Sequence, residues 1–252
     1  MLRLGWVLLL MCSIAFDAIS QIDPEVFSET VLLRREHAGG IFAHSQGAGI
    51  EFRKGYNRDF LTKWLYEIDL LGMKSEREFR SSNPISRNAR SYVYGKQNNI
   101  YILRGGGGQQ KLLNRKPYWG GVEVRYFWFA GGSLAMIKPV YLHIIHDLEY
   151  YLNYYTYTLK TERYDPNKHT YENIYGRASF FKGFDELKLS PGIYGKAGFS
   201  FDFAKKNQVL TDVEIGFTAE FFPKAVHIMA LRDPERFFLT FFISAHLGKR
   251  YD

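Results

Sequence analysis

The stretch that decides the fold is DVEIGFTAEFF, residues 212–222. Val213, Ile215, Phe217, Ala219 and Phe221 fall on one side of an extended chain, and Asp212, Glu214, Gly216, Thr218 and Glu220 fall on the other. Period-two alternation identifies a strand. It does not say which face is inside. With the apolar face inward, this is a water-soluble β protein. With that face outward, the carboxylates line the interior of a membrane barrel.

The pattern recurs along the chain. Ile50, Phe52 and Tyr56 oppose Glu51, Arg53 and Gly55; Trp64, Tyr66, Ile68 and Leu70 oppose Lys63, Glu67 and Asp69. Val122, Val124, Tyr126 and Trp128 oppose Glu123 and Arg125, and Ile193, Ala197, Phe199, Phe201 and Phe203 oppose Lys196, Ser200 and Asp202. In the last segment Phe237, Leu239, Phe241, Ile243 and Leu247 oppose Thr240, Ser244, His246 and Gly248. Weaker segments of the same kind are AGGIFAH (38–44), NNIYILRGG (98–106), GSLAMIKPVYLHI (132–144) and EYYLNYYTYTLK (149–160).

Several runs approach the ~9–11 residues that a tilted strand needs to cross a bilayer. Their polar faces mix both charge signs with Gly and Ser, as expected where side chains crowd inside a narrow barrel. Aromatic residues make up 17% of the chain, mostly Tyr and Phe, which suits strands and the interfacial girdles of membrane barrels. The apolar face is therefore read as facing lipid. The expected fold is an all-β antiparallel transmembrane up-and-down barrel with a side-chain-filled interior. It has about ten strands, or eight if two of the weaker segments are not part of it.

The N-terminus, MLRLGWVLLLMCSIAFDAISQ, has Arg3, an apolar run from Leu4 to Phe16, and Ala18-Ile19-Ser20 before Gln21. This is the pattern of a secretory signal peptide, cleaved after residue 20, and the run is too short to span a membrane. Cys12 is the single cysteine, so the mature chain, 21–252, has no disulfide. Its charge of +7 suits anionic lipid or polysaccharide, and outer-membrane lipid and lipopolysaccharide are expected partners. Lys and Arg are dispersed among acidic residues and form no stripe, which argues against nucleic acid.

Long polar segments lie at 74–97, 161–190 and 223–235, with short links at 57–59, 146–147 and 205–208. Outer-membrane barrels keep long loops outside, with short turns and both termini in the periplasm. Ten strands place all three long segments outside. The segment 108–118 is then long for a periplasmic turn.

The phrases GIEFRKGYNRDFLTKWLYEIDLLGMKSEREFRSSNP, SYVYGKQNNIYILR, GGVEVRYFWFAGGSLAMIKPVYL, NIYGRASFFKGFDELKLSPGIYGKAGFSF and FFLTFFISAHLGKRY resemble a group of small outer-membrane β-barrel proteins of Bacteroidota. The resemblance covers most of the chain from about Gly47. It implies a non-enzymatic integral outer-membrane barrel of a Gram-negative bacterium. It also implies an accessory role in a multi-subunit outer-membrane assembly or secretion complex, with other outer-membrane or surface proteins as partners. It carries no catalytic residues. Asp252 follows Tyr251, where barrel assembly signals usually end on an aromatic residue.

The inward set Glu51, Arg53, Lys63, Glu67, Asp69, Arg104, Glu123, Arg125, Lys196, Asp202, Asp212, Glu214 and Glu220 is read as a salt-bridged plug. The competing reading is an ion or solute pathway, as in a small porin. Among the long segments, Tyr175, Arg177, Phe180, Phe181, Lys182 and Phe184 combine aromatic and basic side chains in the manner of an interface, and form the candidate partner-binding loop. No cofactor or metal is expected: His143 and His146 are three apart on a strand, hence on opposite faces. GGGGQQK (105–111) lacks the phosphate-loop frame and marks a bend or close approach. Ser244 and His246 share a face without a nucleophile elbow, so a lipid-modifying enzyme is the remaining alternative. Mass spectrometry of the exported protein should find Gln21 at its N-terminus; a lipidated Cys12 would overturn the signal-peptide reading.

Overall fold

The computed structural model describes residues 33–251 apart from 77, 84–88, 117–120, 152–153 and 205–207. The signal-peptide segment and Asp252 lie outside the described residues. The strands in chain order are β1 (Arg35–His44), β2 (Gly47–Asn57), β3 (Thr62–Met73), β4 (Arg80–Ser81), β5 (Tyr92–Val93), β6 (Asn98–Asn114) and β7 (Glu123–Pro139). They continue with β8 (Tyr141–Tyr151), β9 (Tyr154–Arg163), β10 (Ile174–Arg177), β11 (Lys188–Asp202), β12 (Val209–Val226) and β13 (Glu235–Tyr251).

Eight of these form one closed antiparallel barrel in the order β1-β13-β12-β11-β7-β6-β3-β2. Closure is made by β1, which pairs with β2 on one side and β13 on the other: Ala38 stands opposite both Arg53 and Gly248. The connections 58–61, 115–122 and 203–208 and the N-terminal edge of β1 lie at one rim. The longer ones, 74–97, 140–187 and 227–234, lie at the other, called here the loop rim.

Parity settles the opening question. Ile215 and Phe217 are 44% and 47% exposed, while Glu214 and Glu220 are almost wholly buried. The outer wall carries Ile41, Ile50, Phe52, Ile68, Phe199, Phe241 and Ile243 in the open. A continuous apolar surface of that extent has no place in water. Along β7 the outward side chains Trp128, Ala130, Leu134 and Met136 are apolar until Lys138 at the loop rim. The chain is a membrane-spanning barrel. No helix among the described residues is long and apolar enough to cross a membrane.

The barrel has eight strands because two weaker segments do something else. GVEVRYFWFA and GSLAMIKP are one strand, β7, running straight through Gly131-Gly132. That pair resembles a turn in the sequence, yet Gly131 faces Gly106 across the ladder, and a Cβ there would collide with the Gly105 carbonyl. The glycines mark close approach of two strands. The tyrosine-rich run EYYLNYYTYTLK is divided between the end of β8 and β9, which pair with each other and stand outside the barrel in a three-stranded sheet with β10. His146-Asp147 is accordingly not a link but part of β8. The strand β6 continues to Asn114, so the overlong periplasmic turn at 108–118 disappears. Of the expected long segment 161–190, the first three residues belong to β9 and the last three to β11, leaving 164–187 between them, and 223–226 belongs to β12.

At the loop rim the connections pack together. Tyr92 of β5, Leu142 and Ile144 of β8, Tyr164 and Ile174 form a small core of their own, with Val140 and Ala230 against it. Ala230 N donates to Gly95 O at 2.8 Å, and Gln97 N to Ile228 O at 2.9 Å. The buried Asn83 amide donates to Ile174 O at 2.7 Å. Three connections far apart in sequence thus share one core.

An arginine at position 215 tests the orientation. Ile215→Arg should destabilise the barrel in lipid by about 2–4 kcal/mol, the cost of a cation near the bilayer centre, measured by urea unfolding in vesicles. A negligible change would mean that this face is in water.

Candidate functional site

Two places concentrate polar chemistry: the barrel interior and the loop rim. All thirteen ionisable residues read as inward face the interior; Glu123 is half-buried and the others are buried. Arg53 on β2 is the hub. Its Nη1 donates to Glu214 Oε1 at 2.7 Å, and its Nη2 donates to Glu214 Oε2 at 2.9 Å and also to Glu51. Lys196 Nζ bridges Glu51 at 3.0 Å and Glu67 at 3.1 Å. Arg104 Nε donates to Glu220 at 2.8 Å, with Asp69 4.0 Å from Nη1.

Aromatic faces complete the cradle. The Arg53 guanidinium lies 5.1 Å from the centre of the Phe129 ring, and Lys196 Nζ lies 5.0 Å from that of Phe242. A desolvated cation over a ring gains up to about 2 kcal/mol. Phe127, Phe129, Phe242 and Leu65 form one apolar cluster at this level. Nearer the loop rim the interior holds an apolar cluster, with Phe42, Leu71, Met73, Ile100, Ile102, Phe222 and Phe238 in contact. Toward the turn rim Lys63 Nζ donates to Glu36 at 2.8 Å, and Arg250 reaches both Glu36, at 3.3 Å, and Asp202. A cavity bounded by Glu36, Arg53, Lys63, Asp212 and Arg250 has a volume of about 10 Å³, room for about one water.

Three members of this network were not singled out by the alternation: Glu36, Tyr194 and Arg250. Each has the inward parity of its strand, so position was legible and partner was not. Tyr194 Oη donates to Glu67 at 3.0 Å. It needs Gly106 opposite, where a Cβ would collide with that hydroxyl.

The carboxylates of Glu51, Glu67 and Asp69 lie close enough to share a cation, as do Glu51, Glu214 and His246. Protein cations already sit among them, Lys196 in the first group and Arg53 in the second. His246 Nδ1 lies 3.0 Å from Asp212 Oδ1, and Nε2 faces Glu51 at 3.4 Å. Ser200 Oγ donates to Asp212 at 3.0 Å, while Ser244 Oγ has no hydrogen-bond partner. His246 thus contacts two carboxylates rather than a serine, in a place no lipid substrate reaches.

At the loop rim the six residues of the candidate partner-binding loop divide. Tyr175 on β10 stacks with Tyr157 at 5.8 Å, and Arg177 is exposed at the end of the same strand. Phe180, Phe181 and Phe184 form a cluster, with Phe180 5.5 Å from each of the other two rings. Gly183, at φ +89°, turns the chain so that Phe180 and Phe184 close over Lys138, whose ammonium lies 4.6 and 4.7 Å from their centres. Lys138 also donates to the Phe180 carbonyl and, at 3.3 Å, to that of Lys182. Lys138 is on the outward face of β7, opposite Asn99. The aromatic cluster therefore covers the outer wall at the rim, and does not lie over the barrel mouth. In the adjoining sheet His146 and His169 both contact Glu162, at 3.0 and 3.3 Å. The hydrogen bond from His169 holds the Glu162 carboxyl below its ordinary value.

These features define a small membrane-spanning β-barrel with a filled interior and an ordered loop rim. No family model matches the chain, and no curated protein matches it. Among solved structures it is similar to Neisserial surface protein A (TM-score 0.42, 9% identity, covering 88% of this chain and 100% of that one). It is also similar to Ail, the attachment invasion locus protein of Yersinia pestis (TM-score 0.38, 8% identity, covering 86% and 97%).

Arg53→Met removes the hub and leaves Glu51 and Glu214 without their shared partner. Breaking a buried pair from one side costs about 3–5 kcal/mol, which equilibrium unfolding in vesicles should register. The double variant Arg53→Met/Glu214→Gln should recover part of that loss. No recovery would mean that the two side chains are not coupled.

Proposed function

We propose that the chain is a non-enzymatic integral outer-membrane barrel. In this reading it serves as a structural or accessory subunit of a multi-protein complex that assembles outer-membrane proteins or secretes protein. The observation that carries the reading is the division of labour in the molecule. The interior is packed with ion pairs and apolar layers, leaving the outer wall and the loop rim as the surfaces available to partners. The three long connections share one rim with the tight 45–46 link, and the remaining shorter ones and the N-terminal edge of β1 lie on the other, which is the disposition of outer-membrane barrels, whose loops face outward and whose termini are periplasmic. The resemblance of the segments from about Gly47 onward to small Bacteroidota barrels supports the accessory role.

The charges inside act as a plug rather than a pathway. A pore selective for one ion type carries a ring of one charge sign, whereas here the central cations Arg53 and Lys196 are each bound between carboxylates and Lys63 and Arg125 are paired with one. A mild-detergent pull-down of tagged protein should recover assembly or secretion subunits in stoichiometric amounts. In planar bilayers the purified barrel should be silent. Steady conductance, with no co-purifying subunit, would replace this reading with that of a small porin.

A further inference from the structure

We infer that a basic cleft at the loop rim binds the phosphorylated sugar headgroup of a membrane lipid. The inference rests on the outer-membrane reading only for the identity of the leaflet that the cleft faces. The cleft, about 590 Å³, lies between residues 78–80 and 90–96 with Lys74, the upper outer wall of β6 and β7, and the sheet containing β8 and β10. That is the size of a small-molecule site. Its walls carry Lys74, Arg80, Arg90, Lys138, Arg177 and Lys182. The single acid in the lining, Glu78, is held by Lys96 at 2.8 Å. Lys74, Arg80, Arg90 and Arg177 have no carboxylate within ion-pair distance among the described residues, and all four side chains are exposed.

Cations gathered in a concave site without counter-charges raise the local positive potential and select an anion. Guanidinium forks match phosphate oxygens in pairs. Arg90 and Arg177 are brought together by the backbone: Arg177 N donates to Arg90 O at 3.3 Å, and at Gly176 a side chain would collide with the Arg90 backbone. Both also line a second open cleft adjoining the first, beside His143 and Lys182. A ligand with phosphates on more than one ring position can engage cations on both sides. Tyr101 and Tyr141, half-buried in the lining, place aromatic rings where a sugar ring can pack.

Location distinguishes a lipid from a soluble anion. Tyr101 and Lys138, in the cleft, belong to the outward faces of β6 and β7, and the next outward residues down the wall are Leu103 and Met136. The cleft opens onto the lipid-facing surface where the apolar band ends. Phe181, 78% exposed, stands beside it, an aromatic side chain at the level where membrane barrels place their girdles. A headgroup in the cleft would lay its acyl chains on that wall.

The test measures binding of lipopolysaccharide to the purified full-length chain in detergent, by thermophoresis and native mass spectrometry. The wild type should bind phosphorylated lipopolysaccharide and bind phosphatase-treated lipopolysaccharide at least about tenfold more weakly. Arg90→Gln/Arg177→Gln should lose a similar factor while keeping its folded gel mobility, since both side chains are exposed. Lys160→Gln, on β9 outside the cleft, should bind as the wild type does. Salt should weaken binding, because the attraction is between exposed charges. Equal binding of stripped and phosphorylated lipid, or no effect of the double variant, overturns the site. Equal affinity for a soluble bisphosphorylated disaccharide overturns the lipid as the source of the phosphate. Cell fractionation separately tests the outer-membrane reading: recovery of the protein elsewhere would defeat that reading without changing whether the purified cleft discriminates phosphate.

Discussion

Hydrocarbon offers no hydrogen-bonding partner to a peptide group, so a sheet can cross a membrane only when it has no edge. The pairing of β1 with β13 meets that requirement, and most other features follow from it. Closure with eight strands encloses a space that side chains alone can fill. Alternation then sends every second residue into that space and its neighbours into lipid. Glycines are needed wherever two inward groups would overlap, as at Gly106 beneath Tyr194.

What fills the interior is divided by height. Apolar side chains take the loop end, from Phe42 and Leu71 to Phe238, and ion pairs with aromatic faces take the middle. A charge in such a place is tolerable only when paired and hydrogen-bonded, and the arrangement spreads the two central cations over several oxygens. Lys196 touches two carboxylates and Arg53 two more closely than a third. These contacts join β2, β3, β11 and β12 across the lumen. The effect is to fix the relative positions of strands that the ladder alone would let slide, a specificity role that does not require a large net stabilisation.

The alternation in DVEIGFTAEFF and its relatives was sufficient to read the barrel, its lipid-facing side and the inward placement of its charges. Strand number was not legible in the same way. Gly131-Gly132 has the composition of a turn, and only the opposing Gly105-Gly106 of β6 reveals a close strand contact. The β8–β9 hairpin alternates as barrel strands do, because a half-exposed sheet in water obeys the same period of two. Pairing within the interior was hidden for a further reason. Arg53 and Glu214 are separated by 161 residues, and their meeting depends on the register of the whole closed sheet. The rim aromatics Phe180 and Phe184 were visible as a cluster, but their seat on Lys138 was not, since it requires the chain to fold back over the outer wall at Gly183.

Charge is sorted by the same geometry. The interior residues described above include nine carboxylates, Glu36, Glu51, Glu67, Asp69, Glu123, Asp202, Asp212, Glu214 and Glu220. Against them stand six basic side chains, Arg53, Lys63, Arg104, Arg125, Lys196 and Arg250, together with His246. The lumen thus holds more acid than base in a chain whose formal charge is +7. Everything outside the lumen is correspondingly more basic than the overall composition states. Part of that surplus gathers at the loop rim, on connections held by a common core of Tyr92, Leu142, Ile144, Tyr164 and Ile174. A surface already ordered gives up less conformational entropy on binding than a free loop does. The filled barrel is therefore more than a membrane anchor: by taking acids inside and bracing the connections above, it leaves an ordered, cation-rich face where the protein meets its surroundings.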